Sequence, residues 1–124
     1  MKAVVDASVV LAWLQDEPGS DEAEPMLMEG VIGAANWSEV LQKSRQHGIS
    51  AEVVARLLAS FGLSVESVIR EDGERAAGIW QAGSGLSLAD RLCLALGLRL
   101  QVTVATMDDS WAGVAGVPKV VVLR

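Results

Sequence analysis

Four carboxylates stand where a chain of this kind could do chemistry: Asp6, Glu39, Asp90 and Asp108. Asp6 closes the short β-branched run Lys2 to Val5, and Asp108 follows the apolar run Val102 to Ala105. Each therefore sits just past the carboxyl end of an expected strand, where open parallel sheets bind their ligands. Glu39 falls one turn into the helix expected after a second strand, Val31 to Ala35, and Asp90 falls in the first turn of a helix that begins at Ser87. Four acids at one sheet edge repel one another and raise each other's pKa, so the set makes sense around a hard divalent cation, Mg²⁺ or Mn²⁺. Such an ion acidifies water and polarises a phosphodiester, which points to phosphodiester hydrolysis.

Each acid also has an ordinary structural role open to it. Asn36-x-x-Glu39 and Ser87-x-x-Asp90 both fit the capping box, in which an acid three residues into a helix satisfies a free backbone donor. Asp6 fits a cap of the first helix and Asp108 a cap of a stub around Ser110 and Trp111. Only their shared placement at strand-to-helix junctions argues for a site. Lys43, four residues after Glu39, and Arg91, next to Asp90, are the cations placed to meet a phosphate nearby, although Glu39 and Lys43 also read as a common helix-surface pair. Trp13, Trp37, Trp80 and Trp111 read as core or interface residues rather than base-stacking platforms, and His47 as an exposed residue without catalytic partners.

The elements that must position these acids alternate. Beyond the strands already named, Leu63 to Val68 and Val120 to Leu123 read as strands, the last after Gly116 and Pro118. Ser8 precedes a helix over Val9 to Leu14, and Glu22 to Glu29 reads as a short or kinked helix because of Pro25. Asn36 opens a helix that stops at Gly48, Ser50 opens one that stops at Gly62, and Asp72 to Ala82 is a helix weakened by Gly73 and Gly78. Continuous apolar strands between helices predict an α/β fold, a three-layer α/β/α sandwich around a mainly parallel sheet.

At 124 residues the chain fits one domain spanning 1–124 with a real core. An apolar content of 51% with 21% charged residues is globular. Cys93 is the only cysteine, flanked by leucines, so a buried thiol in a reducing, cytoplasmic setting is expected, and Asp6 interrupts the N-terminal apolar run too early for a signal peptide or a membrane span. A net charge of −6 excludes nucleic-acid binding through a simple basic surface, so a nucleic-acid substrate requires an intervening cation.

The segments VVDASVVLAWLQDEPG, AANWSEVLQK, GLSLADRLCLALGLRL and VATMDDSWAG, followed by the strand VPKVVVLR, together resemble a PIN domain of the VapC toxin type over nearly the whole chain. The resemblance implies that Asp6, Glu39, Asp90 and Asp108 are the catalytic acids, with Asp6, Asp90 and Asp108 as ligands of Mg²⁺ or Mn²⁺. It implies that Ser8 and Thr106 are the polar residues that orient the first acid. It further implies an endoribonuclease toxin, a homodimer, inhibited by a small antitoxin protein that lays an apolar segment over it. Asp109 departs from the pattern, since toxins of this type often carry a basic residue there; local help in holding an RNA phosphate is not implied at this position, and a further outer acid is the alternative role open to it. Two readings compete: a PIN-fold nuclease of RNA processing, and a Mg²⁺-binding receiver module. The latter requires paired acids after the first strand and an Asp near mid-chain, whereas Ala7 follows Asp6 and no Asp occurs between Asp21 and Asp72.

Overall fold

A computed structural model describes residues 3–113 and 118–123. Along the chain run β1 (Ala3–Val5), α1 (Ala7–Leu14), α2 (Ser20–Leu27), β2 (Val31–Gly33), α3 (Ala34–Gln46), α4 (Ala51–Ser60), β3 (Ser64–Glu66), α5 (Arg70–Ile79), α6 (Leu88–Leu100), β4 (Thr103–Thr106), a single 3₁₀ turn (Asp109–Trp111) and β5 (Val120–Val122). Every strand pairing is parallel and the order is β3-β2-β1-β4-β5. Val4 aligns with Val31 on one side and Val104 on the other, and Val5 with Ile32 and Ala105.

Period-two alternation along these strands divides the core into two layers. Val5, Ile32 and Ala105 pack with Val9, Val10, Leu27, Val40, Val54 and Leu58 from α1 to α4. Val4, Val31 and Val104 point the other way and pack with Ile79, Leu94, Leu96 and Trp111. The expected α/β/α sandwich is thus present, with both sheet faces covered. Burying each valine or leucine of this kind contributes roughly 1.5–3 kcal/mol. Gly97 lets α6 lie directly on β4, because a Cβ there would run into Val104 Cγ2.

The chain leaves β2 for β3 on one side of β1 and returns to β4 on the other, so the sheet changes direction between β1 and β4. Ligand crevices form at such a switch point, beyond the carboxyl ends of the two strands. Asp6 and Asp108 stand at those two ends.

Several boundaries differ from the sequence reading for physical reasons. Helix α1 begins at Ala7, before the expected Val9, so Ser8 lies inside it, while Asp6 caps it as its position allows, its side chain accepting from Val9 N. Asn36 does not cap α3: β2 runs straight into that helix through Gly33, and Asn36 lies inside its first turn. Pro25 sits within α2, which begins earlier than expected, and the burial of Ala23 and Leu27 offsets the lost hydrogen bond. Gly48 and Gly62 adopt φ of 74° and 78°, the left-handed geometry that ends a helix, as their sequence positions predict. Lys2 and Gly116 lie outside the described residues. Among the described residues, no helix is long and apolar enough to cross a membrane.

Candidate active site

Asp6 is the best-held side chain of the crevice. Ser8 Oγ donates to its Oδ1 at 2.6 Å, Val9 N donates to the same oxygen at 3.2 Å, and Thr106 Oγ1 donates to Oδ2 at 2.7 Å. Each hydroxyl also accepts from the end of β4: Ser8 Oγ from Met107 N at 3.0 Å, and Thr106 Oγ1 from Asp108 N at 3.0 Å. Two hydroxyls thereby stitch the ends of β1 and β4 together and hold Asp6 in one rotamer. Ser8 and Thr106 thus touch Asp6 itself, beyond any role as a helix cap or a strand-end hydroxyl.

The other acids come from three further elements. Asp108 caps the 3₁₀ turn, accepting from Ser110 N at 2.9 Å, and is exposed. Asp90 closes a capping box on α6, with Ser87 N donating to its Oδ2 at 3.0 Å and Ser87 Oγ accepting from its N at 3.1 Å. Glu39 is half-buried on α3, where Asn36 Nδ2 donates to its Oε1 at 3.4 Å while also reaching Ala89 O at 3.3 Å. The structural roles weighed for Asp6, Asp90 and Asp108 are therefore real. They leave oxygens to spare, since a carboxylate has about four acceptor sites.

All four acids line one cleft of about 180 Å³, together with Asn36, Lys43 and Trp111. A larger hollow, about 670 Å³, lies elsewhere on α3 against Trp37, Leu41 and Arg45, and no carboxylate lines it. Burial pushes the Asp6 carboxyl up to about 6, against the pull of its three hydrogen bonds, and the charge of Asp90 adds to the rise. Glu39 is raised for the same two reasons, burial first and Asp90 second, with Lys43 pulling the other way. Beneath them the fully buried Cys93 thiol is pushed up by burial and then by Asp6, Asp90 and Glu39, which keeps it protonated and unreactive.

Among the described residues, no three of these side chains close into a ready-made metal shell. An open arrangement suits Mg²⁺ or Mn²⁺ rather than a caged structural ion, because Mg²⁺ keeps several waters and takes only one or two carboxylates directly. Asn36 Oδ1 is buried in the same cleft without a hydrogen-bond partner, an acceptor of the kind that a hydrated cation satisfies. The residues present fit such an ion.

Lys43 lines the cleft and forms no ion pair within 4.0 Å among the described residues, so the expected Glu39 pair is not closed. Arg91 does not join it. Its Nη1 donates to Ala76 O on α5 at 2.8 Å, and it is absent from the cleft lining, because neighbours in a helix point about 100° apart. Asp109 is exposed and borders a separate small hollow beside Asp108. Sequence reasoning missed Asn36 as the residue that braces Glu39, although a three-residue spacing on a helix places both on one face. Trp111, read as core, is indeed fully buried, and it also walls the cleft with its Nε1 unpartnered.

The PIN domain family model matches residues 3–117. No curated protein matches the chain. Among solved structures, the chain is similar to a toxin–antitoxin complex from Klebsiella pneumoniae, with a TM-score of 0.78 at 19% identity over 99% of this chain and 98% of that one. It is also similar to a VapC toxin of Mycobacterium tuberculosis described as cleaving the sarcin–ricin loop, with a TM-score of 0.72 at 16% identity over 94% and 99% of the two chains. A DNA-bound VapBC complex from Salmonella typhimurium aligns with a TM-score of 0.73 at 11% identity over 100% and 99%.

Proposed function

This chain belongs to the PIN domain family, and from that premise we propose that it is a Mg²⁺- or Mn²⁺-dependent endoribonuclease, the toxin of a toxin–antitoxin pair. The observation that carries the reading is the meeting of four carboxylates from four separate elements in one cleft at the sheet's switch point. Asp6, Asp90 and Asp108 would hold the ion, in part through its bound waters, and the ion would supply positive charge at the scissile phosphate and acidify the attacking water. Ser8 and Thr106 fix the Asp6 oxygens, so the ligand needs no reorganisation on binding. Glu39, its acidity weakened by burial, is suited to take the proton of the attacking water. Asn36 holds Glu39 in place, and Lys43 offsets phosphate charge at the rim. An acidic protein can hold RNA on these terms, because the field at the cut is local.

The toxin role is supported by the neighbours of like fold, two of which are toxin–antitoxin assemblies. It carries with it a cognate antitoxin, a homodimeric state and a cytoplasmic setting. Incubation of the purified protein with structured RNAs in Mg²⁺, in Mn²⁺ and in EDTA, beside Asp6→Asn and Asp90→Asn, tests the nuclease. Cleavage is expected only with metal and only in the wild type. Cleavage that persists in EDTA or in both variants would overturn the mechanism. Co-expression with the product of a short reading frame adjoining the gene tests the toxin role: relief of growth arrest is expected, and growth unaffected by the chain alone would overturn it.

A further inference from the structure

A second hollow opens from the acid cleft. It measures about 430 Å³, within the range of roughly 300–1,000 Å³ usual for small-molecule sites, and shares Ser8, Leu11 and Lys43 with the cleft. Its floor is apolar and buried, formed by Leu11, Ala12 and Met107. Its rim is polar: Gln15 from the end of α1 with Glu17 just beyond it, and Gln46 and His47 from the end of α3, so that Lys43 is the one basic group facing the acid Glu17 across the lining. The His47 ring is anchored, since its Nδ1 lies 2.8 Å from Lys43 O. A carbonyl only accepts, so Nδ1 carries the proton and Nε2 is left for another partner.

We infer that this hollow seats one base of a single-stranded RNA, next to the phosphate held at the acid cleft. The inference rests on the nuclease reading above and adds where the strand lies. An apolar floor offers a base its face, and amide and imidazole groups at the rim offer its edge hydrogen-bond partners. Lys43 stands at the junction of the two spaces, where the phosphate between base and cut must pass. An adjoining hollow, about 240 Å³, shares Ser8 and Met107 with this one and is bordered by Asp109, whose charge repels a phosphate backbone. Charge therefore directs the strand toward Lys43, and Asp109 helps to close the alternative route.

The test pairs an oligoribonucleotide carrying one abasic nucleotide, moved position by position around the cut, with Gln46→Ala/His47→Ala and, from a separate element, Gln15→Ala. All three residues are exposed, and thermal melts establish that the variants fold. In the wild type one abasic position beside the cut is expected to raise KM about tenfold, the scale of a single base contact. The double variant is expected to show that higher KM on intact RNA and to lose the abasic penalty, with the change in KM rather than kcat. Gln15→Ala gives the same result in weaker form. Variants that keep both the wild-type KM and the abasic penalty would overturn the inference. Anisotropy of a labelled strand in EDTA reads the hollow without cleavage, and equal affinity of wild type and double variant overturns it there too. A wild type that binds the strand through these residues yet never cuts sinks the nuclease reading and leaves the base site standing.

Discussion

Thr106 Oγ1 lies 2.7 Å from Asp6 Oδ2 and joins two residues 100 positions apart in the chain. The same hydroxyl accepts from Asp108 N, so one side chain sets the spacing of two candidate metal ligands. Thr106→Val keeps the shape and removes the hydroxyl, leaving a buried oxygen and an amide short of a partner at a cost of about 1–3 kcal/mol. It also takes away one of the bonds that hold Asp6 acidity up, so the acid limb of the pH–rate profile is expected to move to higher pH. Thr106→Ser should keep the wild-type profile. Coincident profiles for Val and wild type would show that the hydroxyl only packs.

Asp6 itself works against the stability of the metal-free fold. Its carboxyl ionises at about 6 in the folded chain, against an ordinary 3.8, because burial disfavours the charge. Below pH about 4 both states hold the proton and no penalty exists; between 4 and 6 the unfolded chain ionises first, so stability falls as pH rises. Above 6 the full penalty applies, at most about 3 kcal/mol. Asp6→Asn is therefore expected to stabilise the protein in EDTA at pH 7.5, with the gain vanishing near pH 4. Urea melts at the two pH values measure it, and a variant less stable at pH 7.5 than at pH 4, relative to wild type, would reverse the sign. Added Mg²⁺ should then stabilise the wild type and not the variant.

Much of this arrangement was legible before the fold was known, and the failures share a cause. Asp6 and Asp108 could be placed because strand ends are read from β-branched runs, and Ser87-x-x-Asp90 because a capping box has a fixed spacing. Asn36 was misplaced because β2 enters α3 without a capping side chain, a continuity that no residue type announces. Arg91 was misassigned because adjacency in sequence is not adjacency on a helix. The 430 Å³ hollow had no sequence signature at all, as it is formed by the ends of α1 and α3 and by Met107, which meet only in the packed fold.

One ion pair lies far from the chemistry and tests the separation of stability from activity. Arg99 Nε and Nη2 meet Asp72 Oδ1 and Oδ2 at 2.9 and 3.1 Å, while Asp72 also accepts from Ile69 N and Arg99 donates to Ser67 O. The pair fastens α6 to the start of α5, with Asp72 buried. Asp72→Ala removes the bridge and leaves the Ile69 amide without its partner, while Arg99 keeps contact with solvent, so the expected cost is about 1–2 kcal/mol. Cleavage per folded molecule should not change, because neither residue lines the acid cleft. A loss of kcat in material shown to be folded would mean that α5 and α6 position Asp90 more tightly than their packing suggests.

Lys43 is the cation on which RNA affinity should turn. It is exposed, borders both hollows and has no carboxylate within 4.0 Å among the described residues, so its charge is available to a phosphate. Each phosphate neutralised by a protein cation releases condensed counterions, which gives the affinity a salt dependence of about −0.7 per contact on a single strand. Lys43→Ala is expected to weaken strand binding at low salt and to flatten the plot of log affinity against log salt by about that amount. Removing the positive charge also removes the larger of the two influences that counteract the rise in Glu39 pKa, the other being the Asn36 hydrogen bond, so the variant should need a higher pH to reach half its maximal rate. Lys43→Arg should retain the salt slope. Anisotropy titrations between about 50 and 200 mM salt read the first effect directly. An unchanged slope would place the phosphate elsewhere and leave Lys43 acting on Glu39 alone.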